Sequence, residues 1–308
     1  MDDSKRSRPV RVICGPTAGG KTYAATWFAR LADLTVVSAD SRQLYIGFDI
    51  GTSKPTVREL LTAPHVGIDV LEPTERASAT WWADRADAWI DDIAAAGRTP
   101  VVVGGTGLYV RALFGSFFEE PPLDAQRRHA LQAHLGGMTT PALRRWVEAL
   151  DPARAHLGRT QLLRAIEIAL LTGRRVSELH SSGKRPPRRT ARYLVIDPGP
   201  SLALFIEERT RMMMGSGWVE EVRRLMATVP EEAPAWNASG YRTIRALVRG
   251  ELGYHEAEQA ILIETRQYAK RQRTWFRHQL GGEDVTRLNP HQPDWAEQAT
   301  AWWRGADT

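Results

Sequence analysis

"GPTAGGKT" (residues 15–22) fits the pattern G-x-x-x-x-G-K-[ST], a loop whose backbone cradles phosphate. Val10 to Cys14, just before it, is an apolar run that reads as a buried strand, and Thr22 to Leu31 reads as a helix. Strand, loop and helix in that order are the context this motif requires. Within Gly15, Pro16, Thr17, Ala18, Gly19, Gly20, Lys21 and Thr22, the glycines reach backbone angles closed to other residues, so successive N–H groups can converge on an anion. The helix start adds unpaired donors and the positive end of its dipole. Lys21 supplies a mobile cation, and the Thr22 hydroxyl is placed to meet a phosphate-bound Mg²⁺. The loop calls for a di- or triphosphate. It is silent on whether that phosphate is hydrolysed, transferred or lost as a leaving group.

Outward from the loop, strand and helix alternate as far as about Gly115. "LTVVSAD" (34–40), "HVGIDV" (65–70) and "PVVVGG" (100–105) read as strands, and "SATWWADRADAWIDDIAAAG" reads as a helix ending on Gly97. This alternation predicts an α/β fold: a P-loop NTPase-like core with a mostly parallel sheet flanked by helices. Ligands of such sheets bind beyond the carboxyl ends of the strands, where the phosphate loop, "ADSRQLY" and "GGTGLY" all fall. Near Phe118 the pattern turns helical and arginine-rich, with no convincing strand, so residues 118–188 are expected to form an all-helical insertion. The core then comprises 1–117 and 189–308. "SSGKRPPRR" (181–189) reads as a mobile basic link, "ARYLVIDP" (191–198) as one more strand, and the chain from Leu202 as helical to its tryptophan-rich end.

With 308 residues, 43% of them hydrophobic, the chain can bury a core for one large domain or two. Its single cysteine, Cys14, excludes a disulfide framework and fits a reducing cytoplasm. No apolar stretch approaches the roughly 18–20 residues of a membrane span, and "MDDSKRSRPV" lacks the apolar core of a secretory signal. A net charge of +5 permits an anionic partner. A monomer is expected, although no sequence feature decides it.

Two acidic residues end apolar strands, where a phosphate site needs a carboxylate: Asp40 and Asp197. Asp197 precedes Pro-Gly-Pro and reads as a strand-ending turn residue. Asp40, followed by "SRQLY", is either a general base facing the phosphate loop or a turn aspartate capping the next element. No [NT]-K-x-D stretch is present, which argues against a guanine-nucleotide switch.

"GPTAGGKT", "SADSRQLYIGFDIGTSKPT", "PHVGIDV", "VVVGGTGLYVRAL", "LLRAIEIALLTG", "RMMMGSGWVEEVRRL", "ASGYRTI" and "TRQYAKRQRTWFR" occur in this order. Together they resemble the tRNA dimethylallyltransferases (tRNA isopentenyltransferases), over roughly residues 10 to 280. The resemblance implies transfer of a dimethylallyl group from dimethylallyl diphosphate to the exocyclic amine of the adenosine at tRNA position 37. The phosphate is then a leaving group. It also implies that Asp40 is the base, that Thr17, Lys21 and Arg209 stand at the diphosphate, and that Mg²⁺ is held by Thr22. For the RNA, it implies an insertion embracing the anticodon stem-loop. The implied contacts are Asp40, Ser41, Arg42 and Gln43 on the flipped base, Thr106 in the channel, and Arg128, Gln161 and Arg164 in the insertion. Gly240, Tyr241 and Arg242, with Lys270, Arg271, Gln272, Arg273, Trp275, Phe276 and Arg277, complete the implied set.

Bland readings stand beside these. Arg209 could be a helix-surface residue, Thr106 a helix cap, and the charges of "KRQRTWFR" a solvated face, although that leaves its paired aromatics unexplained. The sequence also departs from the family pattern. Gly19 stands where serine is usual, Thr160 and Gln161 where Gln-Arg is usual, and His65 lacks a second histidine after it and reads as structural. Three rival functions remain: an adenylate isopentenyltransferase, a small-molecule P-loop kinase, and a non-catalytic RNA-binding protein. "GYR" and "KRQRTWFR" after the core favour the tRNA enzyme over the first.

Overall fold

Val10, Val12, Ile13 and Cys14 are all buried in strand β1 (Val10–Cys14), as a strand covered on both faces requires. The phosphate loop leads from it to α1 (Lys21–Phe28), followed by β2 (Leu34–Ser38), α2 (Val57–Thr62), β3 (His65–Val66), α3 (Ala79–Ala95), β4 (Thr99–Gly104) and α4 (Gly107–Phe114). An insertion follows with β5 (Phe117–Phe118), α5 (Ala125–Gly136), α6 (Thr140–Leu150), α7 (Arg159–Thr172), α8 (Val176–Ser182) and β6 (Lys184–Arg185). The chain returns as β7 (Ala191–Ile196), α9 (Leu202–Gly215), α10 (Trp218–Thr228), α11 (Tyr241–Val248), α12 (Tyr254–Gln279), β8 (Val285–Leu288) and α13 (Trp295–Arg304). This computed structural model describes residues 8–118, 121, 123–182 and 184–305. The chain divides into two compact units, one running to Phe114 and resuming at Arg188, the other spanning Gly115–Pro187.

The first unit is built on a six-stranded sheet in the order β3-β2-β4-β1-β7-β8, with every pairing parallel. β1 lies at its centre, between β4 and β7, so the phosphate loop emerges where neighbouring strands leave in opposite directions. Ser78 caps α3 by accepting from the Trp81 amide, and Gly97 at φ +76 turns the chain after it. On one face of the sheet Phe28 stacks on Trp303 at 4.7 Å and meets Trp302 at 5.5 Å, so α13 closes the core beside α1. Each such side chain contributes about 1.5–3 kcal/mol on burial. Cys14 is wholly buried, and desolvation pushes its thiol up to about 12, against smaller opposing effects of Lys21 and Arg287. Among the described residues no helix is long and apolar enough to cross a membrane.

Three expectations need correction. The helix after the phosphate loop stops at Phe28 rather than Leu31. The tail after Leu202 is not wholly helical: Val285–Leu288 pairs with β7 as an edge strand. The segment 181–189 is not a structureless link, because Lys184 and Arg185 pair antiparallel with Phe118 and Phe117, so the insertion is not all-helical either. Gly183 lies outside the described residues.

In the insertion, Leu143, Val147, Leu162, Ile166, Val176 and Leu179 form a separate core. Within it Glu167 is buried and accepts from Arg128 Nε at 3.0 Å, Arg164 Nη1 at 2.8 Å and Gln132 Nε2 at 2.6 Å. Burial alone would raise its carboxyl. The Gln132 and Arg164 hydrogen bonds and the Arg128 and Arg164 charges outweigh that and hold it below the ordinary 4.5. A depressed carboxylate stabilises fully above its unfolded pKa and loses that contribution as pH falls through the folded value. Glu167→Ala should therefore speed hydrogen exchange in α5 and α7 at neutral pH, by a local loss of about 2 kcal/mol. In the parent the same helices should loosen as pH falls below the ordinary carboxylate range, and in the variant this acid step should shrink.

Candidate active site

The phosphate loop is shaped by its own backbone. Gly19 N donates to Pro16 O at 3.1 Å, Ala18 takes φ 58, and Gly20 caps α1 at φ +93 with no side chain on the first amides. Those amides stay open to an anion. Gly15, at φ +148, lies so close to the Ile196 carbonyl that any Cβ would collide with its oxygen. The end of β7 therefore backs the loop. Lys21 Nζ folds over it to the Pro16 carbonyl at 2.7 Å. Desolvation pulls the Lys21 ammonium down to about 8, Arg209 adds to that, and Asp40 and Cys14 oppose it.

Asp40 lies two residues beyond β2. Its Oδ1 accepts from Arg42 N at 2.9 Å, and the Ser41 amide donates to Thr106 Oγ1 at 3.0 Å, tying this loop to the start of α4. Asp40 therefore makes the bond of a turn aspartate, and it also lines the cleft that Thr17 and Arg209 border. Gln43 is spent internally: Oε1 accepts from Ser38 Oγ, and Nε2 donates to the Ser53 and Thr52 carbonyls. Further along, Glu221 accepts from Ile50 N at 2.8 Å and from Tyr241 OH at 2.7 Å, while Tyr241 OH accepts from Gly51 N. Burial raises the Glu221 carboxyl in spite of those bonds. Lys54 adds bonds to Tyr45 O and Asp49 and a contact with Asp69. The whole stretch from Asp40 to Lys54 is a pinned wall.

Thr17, Asp40, Arg42, Arg209 and Tyr268 converge on one cleft, lined also by Met213 and Trp218. Arg209 faces Asp40 and Tyr268. Burial lowers its pKa while both neighbours oppose the shift, so it is no surface arginine. Tyr268 is a cleft residue that the sequence reading does not single out. Burial pushes its hydroxyl up to about 12, with the Asp40 charge adding and a Thr106 hydrogen bond opposing. Its signal is its place in "TRQYAKRQR", four residues before Gln272 and so on the same helix face.

The residues predicted to touch RNA separate by burial. Lys270, Arg271, Arg277 and Arg242 are exposed, Arg271 over the Tyr268 ring and Arg242 bonded to Asn237. Half-buried Trp275 lies against Gly107, and Arg273 Nε donates to Asp197 Oδ2 at 2.8 Å. Asp197 also accepts from Gly199 N, the turn bond expected of it. Four assignments need correction, because these side chains are committed to the protein. Tyr241 is fully buried and anchors Gly51, Gln272 is 6% exposed and Phe276 1%, and Gln43 holds its own loop. Gly240 contributes backbone only, its amide reaching Glu264 Oε2 at 3.2 Å. In the insertion, Gln161 caps α7 at Gly158 N, and Arg128 and Arg164 share Glu167. His65 is structural as expected, its ring nitrogen 2.6 Å from Ala63 O.

The sequence model described as IPP transferase matches residues 43–279. The chain belongs to the IPP transferase family. A relative in Anaeromyxobacter dehalogenans, a tRNA dimethylallyltransferase, is 42% identical over 276 residues, covering 88% of this chain and 92% of its own. A tRNA dimethylallyltransferase of Thermomicrobium roseum is 40% identical over 301 residues, covering 95% and 90%. Among solved structures, a tRNA isopentenylpyrophosphate transferase from Staphylococcus epidermidis superposes with a TM-score of 0.68 at 28% identity, covering 97% of this chain and 99% of that one.

The Lys21 shift carries a pH prediction for this transferase. Its ammonium is the charged form, so it is present below about 8 and lost above it. Diphosphate binding to the unliganded protein, followed by titration calorimetry, should weaken as pH rises through that value. In Lys21→Ala binding should be weak throughout and lack this step.

Proposed function

We propose that this chain transfers a dimethylallyl group from dimethylallyl diphosphate to the N6 amine of adenosine at tRNA position 37, releasing diphosphate. The observation that carries the reading is that Asp40 and Arg209 line one cleft with the phosphate-loop Thr17, while the loop's Lys21 feels the charges of both, in a family whose relatives bear that name. The loop amides, Lys21 and Arg209 hold the diphosphate and receive the charge that builds as its C–O bond breaks. The amine nitrogen forms the new C–N bond. Its proton goes to Asp40 and the electron pair of the broken bond to the diphosphate. Thr17 and Tyr268 border the reacting atoms, and the apolar side at Met213 and Trp218 keeps water from the allylic centre.

Mg²⁺ fits this donor set. The Thr22 hydroxyl, on the first turn of α1 beside the loop, is a hard oxygen donor of the kind Mg²⁺ takes, with substrate oxygens supplying the rest. When bound there it adds positive charge beside the leaving group.

Exposed Lys270, Arg271, Arg277 and Arg242 supply the cations for the RNA backbone, with Trp275 beside them to stack. Ser41, Arg42 and Thr106 border the flipped adenosine. The 115–187 unit, with Arg128 and Arg164, grips the anticodon stem-loop. We place the enzyme in a reducing cytoplasm, which suits its one buried free thiol, and as a monomer.

The deciding experiment is a single-turnover assay with labelled dimethylallyl diphosphate and either unmodified tRNA or AMP. Label on tRNA supports the reading, label on AMP alone makes this a free-nucleotide enzyme, and label on neither returns the loop to kinase chemistry. Asp40→Ala should bind tRNA as the parent does while transfer falls at least about 100-fold. Substituting Lys270, Arg271 and Arg277 by Ala should weaken tRNA binding and flatten its dependence on log salt by about 0.7–0.9 per charge.

A further inference from the structure

Gln272 sits among the exposed cations of α12 in sequence and away from them in space. Its Oε1 accepts from Thr17 N at 2.7 Å, inside the phosphate loop. Its Nε2 donates to Gly105 O at 2.8 Å, in the turn between β4 and α4. One partner is an N–H and the other a carbonyl, so the amide can face only one way. Gly105 precedes Thr106, whose Oγ1 accepts from the amide of Ser41, the residue after Asp40. A continuous run of peptide and hydrogen bonds thus joins the loop proposed to hold the leaving group to the residue proposed to take the proton.

We infer that Gln272 is a positioning residue, fixing the phosphate loop against the loop that bears Asp40 and so setting how leaving group and proton acceptor face each other. The inference rests on the transfer reaction proposed above. A carboxylate in its place could not donate to Gly105 O, and asparagine is one methylene short. Leucine would leave both a buried N–H and a buried C=O unpaired. Gly105 belongs to the same device: a Cβ there would run into Gln272 Nε2. Because the Thr17 amide is occupied by Gln272, it is not among the loop amides open to an anion. Two further contacts hold α12 in register with these loops: Trp275 against Gly107, and Arg273 with Asp197. The helix that presents cations to solvent is therefore bolted to the loops of the cleft.

The test uses the full chain and two readouts. Gln272→Leu should speed hydrogen exchange at the Thr17 amide, followed by NMR. It should also slow single-turnover transfer about 100-fold at saturating tRNA and dimethylallyl diphosphate, with tRNA Kd unchanged. Gly105→Ala should do the same, and should cost much less in a Gln272→Ala background, where its methyl group has room. Gln272→Glu, nearly isosteric, keeps the acceptor for the Thr17 amide and loses the donor to Gly105 O, so it should slow transfer with tRNA Kd unchanged, and it serves if the leucine variant does not fold. Unchanged exchange at Thr17 in Gln272→Leu, or an unchanged transfer rate in Gln272→Glu, would overturn the inference. So would a retained rate with a raised tRNA Kd, which would make Gln272 an RNA contact. If the parent labels no acceptor, the transfer reading fails on its own, and exchange at Thr17 alone then decides what Gln272 holds.

Discussion

One carboxylate stands against two cations that burial disfavours. Lys21 and Arg209 both lose hydration, and in both the negative charge of Asp40 is the leading effect that opposes the loss. The three groups come from distant parts of the chain: the first strand–helix junction, the end of β2 and the middle of α9. Their meeting is the reason the sheet needs its order. β1 at the centre, with β4 and β7 beside it and β2 next to β4, puts the relevant carboxyl ends side by side. The rest of the first unit is support for that meeting.

The support is rigid by construction. Between Asp40 and Lys54 the backbone has little regular structure, yet its amides and carbonyls are engaged by side chains: Gln43 within the stretch, Glu221 and Tyr241 across from it, Lys54 closing its end. A loop held in this way behaves as part of the scaffold, which a site needs if reacting groups must be fixed within fractions of an ångström. Trp218, packed between Gly51 and Gly240, adds the apolar filling that makes the wall continuous with α11.

Much of this is legible in the amino-acid sequence. The phosphate loop announces itself through spacing and through the strand and helix on either side, because backbone geometry there tolerates few alternatives. Asp40 is legible from its place at the end of an apolar strand. What sequence does not separate is contact from support within the basic segment. In "KRQRTWFR" the cations and aromatics alternate in one dimension, but on the helix Ala269, Gln272 and Phe276 form a buried stripe at three- and four-residue spacing. A glutamine in such a stripe looks polar and reads as exposed, although a buried glutamine with both ends satisfied costs little. Tyr241 misleads in the same way: its hydroxyl suggests a ligand contact, and the fold uses it to bridge Glu221 and Gly51. β8 escapes notice because four residues between polar turns carry no periodicity to speak of, and its pairing with β7 is purely tertiary.

Cys14 gives the molecule a property unrelated to its chemistry. It is the chain's one thiol, fully buried at the end of the central strand, and its high pKa keeps it protonated and unreactive. A thiol reagent can reach it only when the sheet parts beside the phosphate loop. The rate at which the native protein takes up such a reagent is thus a clock for opening of the sheet at the very strand that carries the loop, built in without a label. Any ligand that knits the loop to its neighbours slows that clock by the amount it stabilises the closed sheet.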